Sequence, residues 1–155
     1  GHGDPTTSRN SGGDTADIDT VVRRSEDGGK TWGDEIIVFD EHDNVAGNPC
    51  PVVDQSTGRI WSLQTWNSHK VHENQTKAGF GEDSRRVFIT YSDDDGKTWR
   101  KLGNIGENPK AEYTNLDCYF TKTGDAILTY MYAEPAWNRK AIHLKAALIP
   151  EGWFK

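Results

Sequence analysis

The sequence predicts an all-β fold, and three observations predict it. The octapeptide Ser25-Glu26-Asp27-Gly28-Gly29-Lys30-Thr31-Trp32 returns as Ser92-Asp93-Asp94-Asp95-Gly96-Lys97-Thr98-Trp99, 67 residues later. Residues 51–61 and 117–127 both read strand, turn, strand, and their Thr57-Gly58 and Thr123-Gly124 turns lie 66 residues apart. Gly and Asp punctuate the chain about every 8–12 residues, with no convincing helical period between them.

The repeating unit is a hairpin on a Thr-Gly turn, a third strand, the S-x-D-x-G-K-T-W turn and a fourth strand. In chain order the strands begin with β-rich residues 19–24, ahead of the first octapeptide, and residues 35–39, after it. Residues 51–53 and 60–65 flank the first Thr-Gly turn, and 86–91 lead into the second octapeptide. Residues 117–120 and 126–130 flank the second Thr-Gly turn. Four-stranded sheets repeated at this period are the blades of a β-propeller.

Each octapeptide has a local logic. Asp27 and Asp94 accept hydrogen bonds from nearby backbone N–H groups, closing an Asx-type turn. Gly29 and Gly96 supply a positive φ. Thr31 and Thr98 favour re-entry into a strand, and Trp32 and Trp99 are expected to pack between sheets. A calcium loop is excluded, because the twelfth position from Asp93 is Asn104 where a bidentate Glu is needed.

Composition agrees with a folded chain that has a thin, aromatic-rich core. Hydrophobic residues make up 34% of the 155 positions, yet there are six Trp, five Tyr and five Phe. The net charge of −6 argues against nucleic acid, which needs a basic surface. No apolar run approaches the roughly 20 residues of a membrane helix. No basic segment followed by an apolar one opens the chain, so no signal peptide is expected in it. Cys50 and Cys118 give neither a disulfide framework nor metal spacing; free thiols are expected, with a pairing between them left open.

The octapeptide is an Asp box, and it resembles that of the sialidase (neuraminidase) superfamily. Asp boxes occur on propellers of unrelated activity, and further segments narrow the match. Residues 14–24, Asp-Thr-Ala-Asp-Ile-Asp-Thr-Val-Val-Arg-Arg, resemble the acid/base loop. Asn48-Pro49-Cys50-Pro51-Val52-Val53-Asp54 is similar to a blade-opening segment, and Glu112-Tyr113-Thr114-Asn115-Leu116 to the segment of the nucleophilic tyrosine in the last blade. Residues 144–154 resemble the closing strand.

The resemblance implies a retaining exo-α-sialidase that releases terminal sialic acid, with a Tyr nucleophile and an Asp acid/base. It implies no cofactor and no metal, a sialylated glycan as partner, and an extracellular or periplasmic setting. Tyr113 would be the nucleophile, against the commoner fate of a Tyr as a sheet aromatic. Asp14, nine residues before Arg23, would be the acid/base, with a turn-capping role as its alternative. Asp17 is the second candidate for the acid and a substrate-binding candidate; Asp19 more simply begins the strand. Arg9 would contact the polar groups of the substrate, and Trp66 and Asn67, following the strand 60–65, would face the sugar, with a core role for Trp66 as the alternative. Glu112 adjoins Tyr113 but would point to the opposite face. His69 and His72 lack a third ligand, and Asn74-Gln75-Thr76 is a glycosylation sequon by pattern alone.

This chain departs from the family pattern in two ways. It holds no Arg-Ile-Pro segment, and after Trp99 it passes almost directly into the segment resembling the last blade. The middle blades that carry the remaining arginines and the base for the tyrosine are therefore expected to be absent. Residues 1–155 form about two and a third units, a single partial propeller domain against the roughly 4–8 blades of a closed one. The alternative to hydrolysis is a catalytically incomplete fragment that binds glycan or protein, and open blade edges predispose the chain to self-association.

Overall fold

The computed structural model describes residues 15–106, 108–123, 125–133 and 142–149. They form three antiparallel sheets, each in chain order. The first pairs β1 (Thr20–Val22) with β2 (Ile36–Phe39). The second is β3 (Val45–Val53), β4 (Ile60–Asn67), β5 (Arg85–Ser92) and β6 (Arg100–Asn104). The third is β7 (Glu112–Phe120), β8 (Ala126–Ala133) and β9 (Ile142–Ile149). One turn of 3-10 helix, Glu73–Gln75, with Asn74 exposed on it, interrupts the loop between β4 and β5. The all-β propeller architecture expected from the repeat is the one observed.

Several boundaries differ from the sequence expectation, with β3 and β7 starting at Val45 and Glu112, well before residues 51 and 117. β1 stops at Val22 and leaves out Arg23 and Arg24, because the Arg24 carbonyl accepts the Gly33 N–H at 2.9 Å and closes the first box there. Trp66 and Asn67 do not follow a strand; they end β4, held in register opposite Arg86 and Arg85 of β5. β3 contains Pro49 and Pro51, which an edge strand tolerates because its outer N–H positions need no ladder partner.

The two Asp boxes are closed by the same bonds. Asp27 Oδ1 accepts the N–H groups of Lys30 and Thr31, both at 2.9 Å, and its Oδ2 accepts the Thr31 hydroxyl at 2.7 Å. Asp94 repeats this with Lys97 and Thr98 at 3.1, 2.8 and 2.7 Å. Ser25 and Ser92 accept the Gly29 and Gly96 N–H groups at 2.7 and 2.9 Å, and those glycines have φ of 88° and 80°. Trp99 is half-buried, with its Nε1 donating to the Gly96 carbonyl. Trp32 does not pack between sheets among the described residues; it is 60% exposed. Arg59 ties the Thr-Gly turn to the second box by a bidentate pair with Asp93, at 2.5 and 3.1 Å.

Strand alternation sends each face of the second sheet to a different neighbour. Phe88 and Trp66 pack on Phe39 and Ala46, toward the first sheet. Trp61, Leu63 and Ile89 pack on Leu128 of the third. Both cysteines are free and border that second layer, where burial raises each thiol, Cys118 to about 12.

Two outcomes follow from this packing. Leu128→Ala removes a side chain that is 1% exposed between two sheets, and should cost about 2–5 kcal/mol in urea unfolding. The Thr31 hydroxyl and N–H hold the Asp27 carboxyl down from 3.8 to about 2, and the Thr98 pair holds Asp94 lower still. Their folded values lie below their unfolded ones, so the stability they contribute is present above about 3.8 and is lost as the pH falls through about 2. Near-UV circular dichroism on acid titration should follow that loss, and Asp27→Asn and Asp94→Asn should each remove part of the pH dependence.

Candidate functional site

The starts of β3, β5 and β7 and the end of β4 meet at one end of the stacked sheets. Tyr113 is the second residue of β7, and two features bring it there. Thr114 pairs with Met131 and Leu116 with Tyr130, so Asn115 bulges out of the ladder with φ of 48°. The bulge shifts the alternation by one residue and turns Tyr113 inward, toward the second sheet. Gly106, at φ of 86°, leaves room for the ring: a Cβ there would lie 2.5 Å from Tyr113 Cζ.

Tyr113 is 7% exposed and packs with Val87, Ala111 and Tyr132. Its ring meets that of Tyr132 edge-on, with centroids 5.5 Å apart, and that of Tyr130 at 5.8 Å. The Tyr113 hydroxyl accepts the Asn108 backbone N–H at 3.1 Å, and the Asn108 side-chain amide donates to the Tyr132 hydroxyl at 2.5 Å. Asn108 therefore fixes both phenols from one turn. Lys145 lies over the Tyr132 ring, 3.5 Å from its centroid. A backbone N–H aimed at a phenol oxygen stabilises negative charge developing on that oxygen.

Asn67 and Arg85 are register partners, 1% and 5% exposed, and share a face with Thr65 and Val87. Val87 touches Tyr113, so this pair and the tyrosine occupy the same inter-sheet layer. Asp17 is exposed beside the start of β3, where Ile18 bridges Val45, itself the partner of Asn67. Tyr113, Asn67 and Asp17 are thus brought to one end. Trp66 is not open to a sugar: it is 9% exposed, buried against Phe39, Ala46 and Phe88, with the Arg86 guanidinium 4.4 Å from its ring centroid. Arg86 also donates to the carbonyls of Phe80 and Gly81, pinning the β4–β5 loop. Asp14 and Arg9 lie outside the described residues, and nothing is described of the Glu112 side chain.

Three residues here escaped sequence reasoning. Arg85 carried a readable signal, since Arg85, Val87, Ile89 and Tyr91 alternate on one face of β5. Asn108 and Tyr132 carried none, because their roles depend on a turn and a hairpin register that no local pattern specifies. Among the described residues, no group of three or more His, Cys, Asp or Glu could hold a metal, and no helix is long and apolar enough to cross a membrane. Cavities of about 430 and 320 Å³ open beside the first Asp box and between the β3–β4 and β7–β8 turns; neither is lined by a candidate residue.

Stacked antiparallel sheets, two of them with neighbouring strands joined through an Asp box, define a β-propeller segment. The model of the BNR repeat-like domain matches residues 8–145. The chain is similar to a sialidase of Bacteroides fragilis (strain YCH46), 31% identical over 105 residues, which span 60% of this chain and 19% of that protein. Its fold matches the Hadza microbial sialidase Hz136 with a TM-score of 0.70 and 22% identity, over 89% of this chain and 30% of that one. The chain belongs to the BNR-repeat β-propellers of the sialidase superfamily and spans about a fifth to a third of these relatives.

The packing of Tyr113 yields a test. Gly106→Ala puts a methyl group into the Tyr113 ring at a left-handed backbone position. The backbone conformation alone should cost about 1–2 kcal/mol, and the displaced ring should add to that. Chemical denaturation with tyrosine fluorescence measures both, and a variant as stable as the parent would contradict the assigned packing.

Proposed function

We propose that this chain carries part of a retaining, sialidase-type glycoside hydrolase site for terminal α-linked sialic acid. Tyr113 is the nucleophile and Asp14 the acid/base, with Arg9, Asp17 and Asn67 toward the substrate; Trp66 supports the site from the core. The observation that carries the reading is the inward-turned Tyr113, whose oxygen accepts the Asn108 N–H, in a chain of this superfamily.

The chemistry favours a phenol. Sialic acid bears a carboxylate on the carbon under attack, and a carboxylate nucleophile would meet like charge in a poorly solvated layer. A neutral tyrosine avoids that repulsion. In the first step the Tyr113 oxygen bonds to the anomeric carbon as its proton passes to a base carried by a blade outside this chain, and Asp14 protonates the departing glycosidic oxygen. In the second, Asp14 takes a proton from water, which displaces the tyrosine and restores the original configuration. The Asn108 N–H steadies the phenolate oxygen in both.

A second reading, glycan binding without turnover, is favoured by one observation: Tyr113 is only 7% exposed in a chain spanning 30% of the solved sialidase. A fluorogenic sialoside separates the two. Hydrolysis by the 155-residue chain, lost in Tyr113→Phe while the fold persists by circular dichroism, would establish the hydrolase reading. Binding of the sialoside without release of the fluorophore would establish the second reading instead.

A further inference from the structure

We propose that Cys50 and Cys118 are a dithiol pair that a small-molecule disulfide oxidises to a cross-link between the second and third sheets. The inference concerns a covalent modification site and does not depend on the glycosidase reading.

The strand registers bring the two cysteines together. In the second sheet Cys50 pairs with Leu63, and Leu63 with Ile89. In the third sheet Cys118 pairs with Leu128. Leu63, Ile89 and Leu128 pack in the layer between these sheets, and both cysteines border it. β3 and β7 are the edge strands of their sheets and lie against each other. The two apolar rows therefore end side by side, each on a cysteine. One oxygen shows how near they are: Asp117 Oδ1 accepts the Cys50 thiol at 3.6 Å and the Cys118 backbone N–H at 2.8 Å. The bulge at Asn115 is what turns Cys118 into this layer, since unbroken alternation from Tyr113 would put the two on opposite faces. The chain holds no other cysteine.

Burial governs the rate of this chemistry more than its outcome. It pushes the Cys50 thiol up, and it pushes the Cys118 thiol up to about 12, with the neighbouring Cys50 and Asp117 adding to the rise. The thiolate is the attacking form, so exchange is slow. A disulfide carries no charge, and the burial that disfavours each thiolate does not disfavour the linked product. In the first step one cysteine thiolate bonds to a sulfur of the small disulfide. That S–S bond breaks, and the departing sulfur takes up the proton the cysteine gave. In the second step the other cysteine thiolate attacks the first cysteine's sulfur and releases the second small thiol in the same way. The two protein thiols lose two electrons and two protons, and one small disulfide is reduced to two thiols. The new bond closes the chain from residue 50 to residue 118 in the unfolded state, which removes entropy from that state.

The folded 155-residue chain, held in excess glutathione disulfide over hours, tests this by intact mass. The chain should become lighter by two hydrogens, with no glutathione attached. Trypsin without reductant should then release residues 31–59 and 111–122 as one linked pair. The thermal midpoint should rise by roughly 5–15 °C and fall back on reduction. Cys50→Ser and Cys118→Ser should each show no rise with the same reagent. The peptide readout needs no variant, so it stands if either of these fails to fold. A chain that keeps both thiols free, retains glutathione, or links to a second copy through a cysteine would overturn the proposal. A linked chain with an unchanged or lower midpoint would also overturn it, because the bond would then strain the layer it is inferred to fit.

Discussion

A single left-handed asparagine in the first strand of each larger sheet sets the phase on which the inter-sheet layers depend. In β3, Gly47 pairs with Thr65 and Cys50 with Leu63; in β7, Thr114 pairs with Met131 and Leu116 with Tyr130. Asn48 and Asn115 sit at these bulges with φ of 49° and 48°, 67 residues apart, the spacing of the Asp boxes. Asn tolerates this conformation better than other residues with a Cβ. Without the bulge, period-two alternation would put Tyr113 on the face of Asp117 and Tyr119, away from the second sheet. With it, Tyr113, Leu116 and Cys118 all point inward. The bulge therefore connects backbone geometry to the chemistry proposed for this end of the fold.

The Asp boxes contribute differently. Their bonds run within eight residues, from a carboxylate and a serine to neighbouring N–H groups, and they form whether or not the tryptophan at the end finds a partner. Trp32 and Trp99 follow the same carboxylate and serine bonds, yet one is 60% exposed and the other half-buried. Cohesion between sheets comes instead from the apolar layers, in which Leu63, Phe88 and Leu128 are at most 1% exposed. Local polar closure and long-range apolar packing are separable, and this lets the same turn recur while its surroundings change.

That separation explains what the sequence disclosed. The boxes, the Thr-Gly hairpins and most strand positions were legible, because each is decided within a few residues by turn chemistry. Family resemblance made Tyr113 a candidate, but its inward orientation was not legible, since a bulge is invisible to alternation. Trp66 shows the opposite limit. Its place at a strand end suggested a sugar contact, whereas the pairing with Arg86 and the packing on Phe39 put it in the core. Asn108 and Gly106 matter only through Tyr113, and neither has a sequence pattern of its own.

A site at the end of stacked sheets takes each side chain from a different sheet, so its completeness depends on how many sheets are present. Here Tyr113 comes from the third sheet, while Asn67 and Arg85 come from the second. A sugar acid presents a carboxylate, ring hydroxyls and a glycosidic oxygen in different directions. Recognising all of them requires groups converging from around the stack, at separations a few adjacent strands cannot span. Positioning to within about 3–3.5 Å of the reacting atom is what makes such convergence catalytic. The layers that hold Tyr113 supply that rigidity on one side.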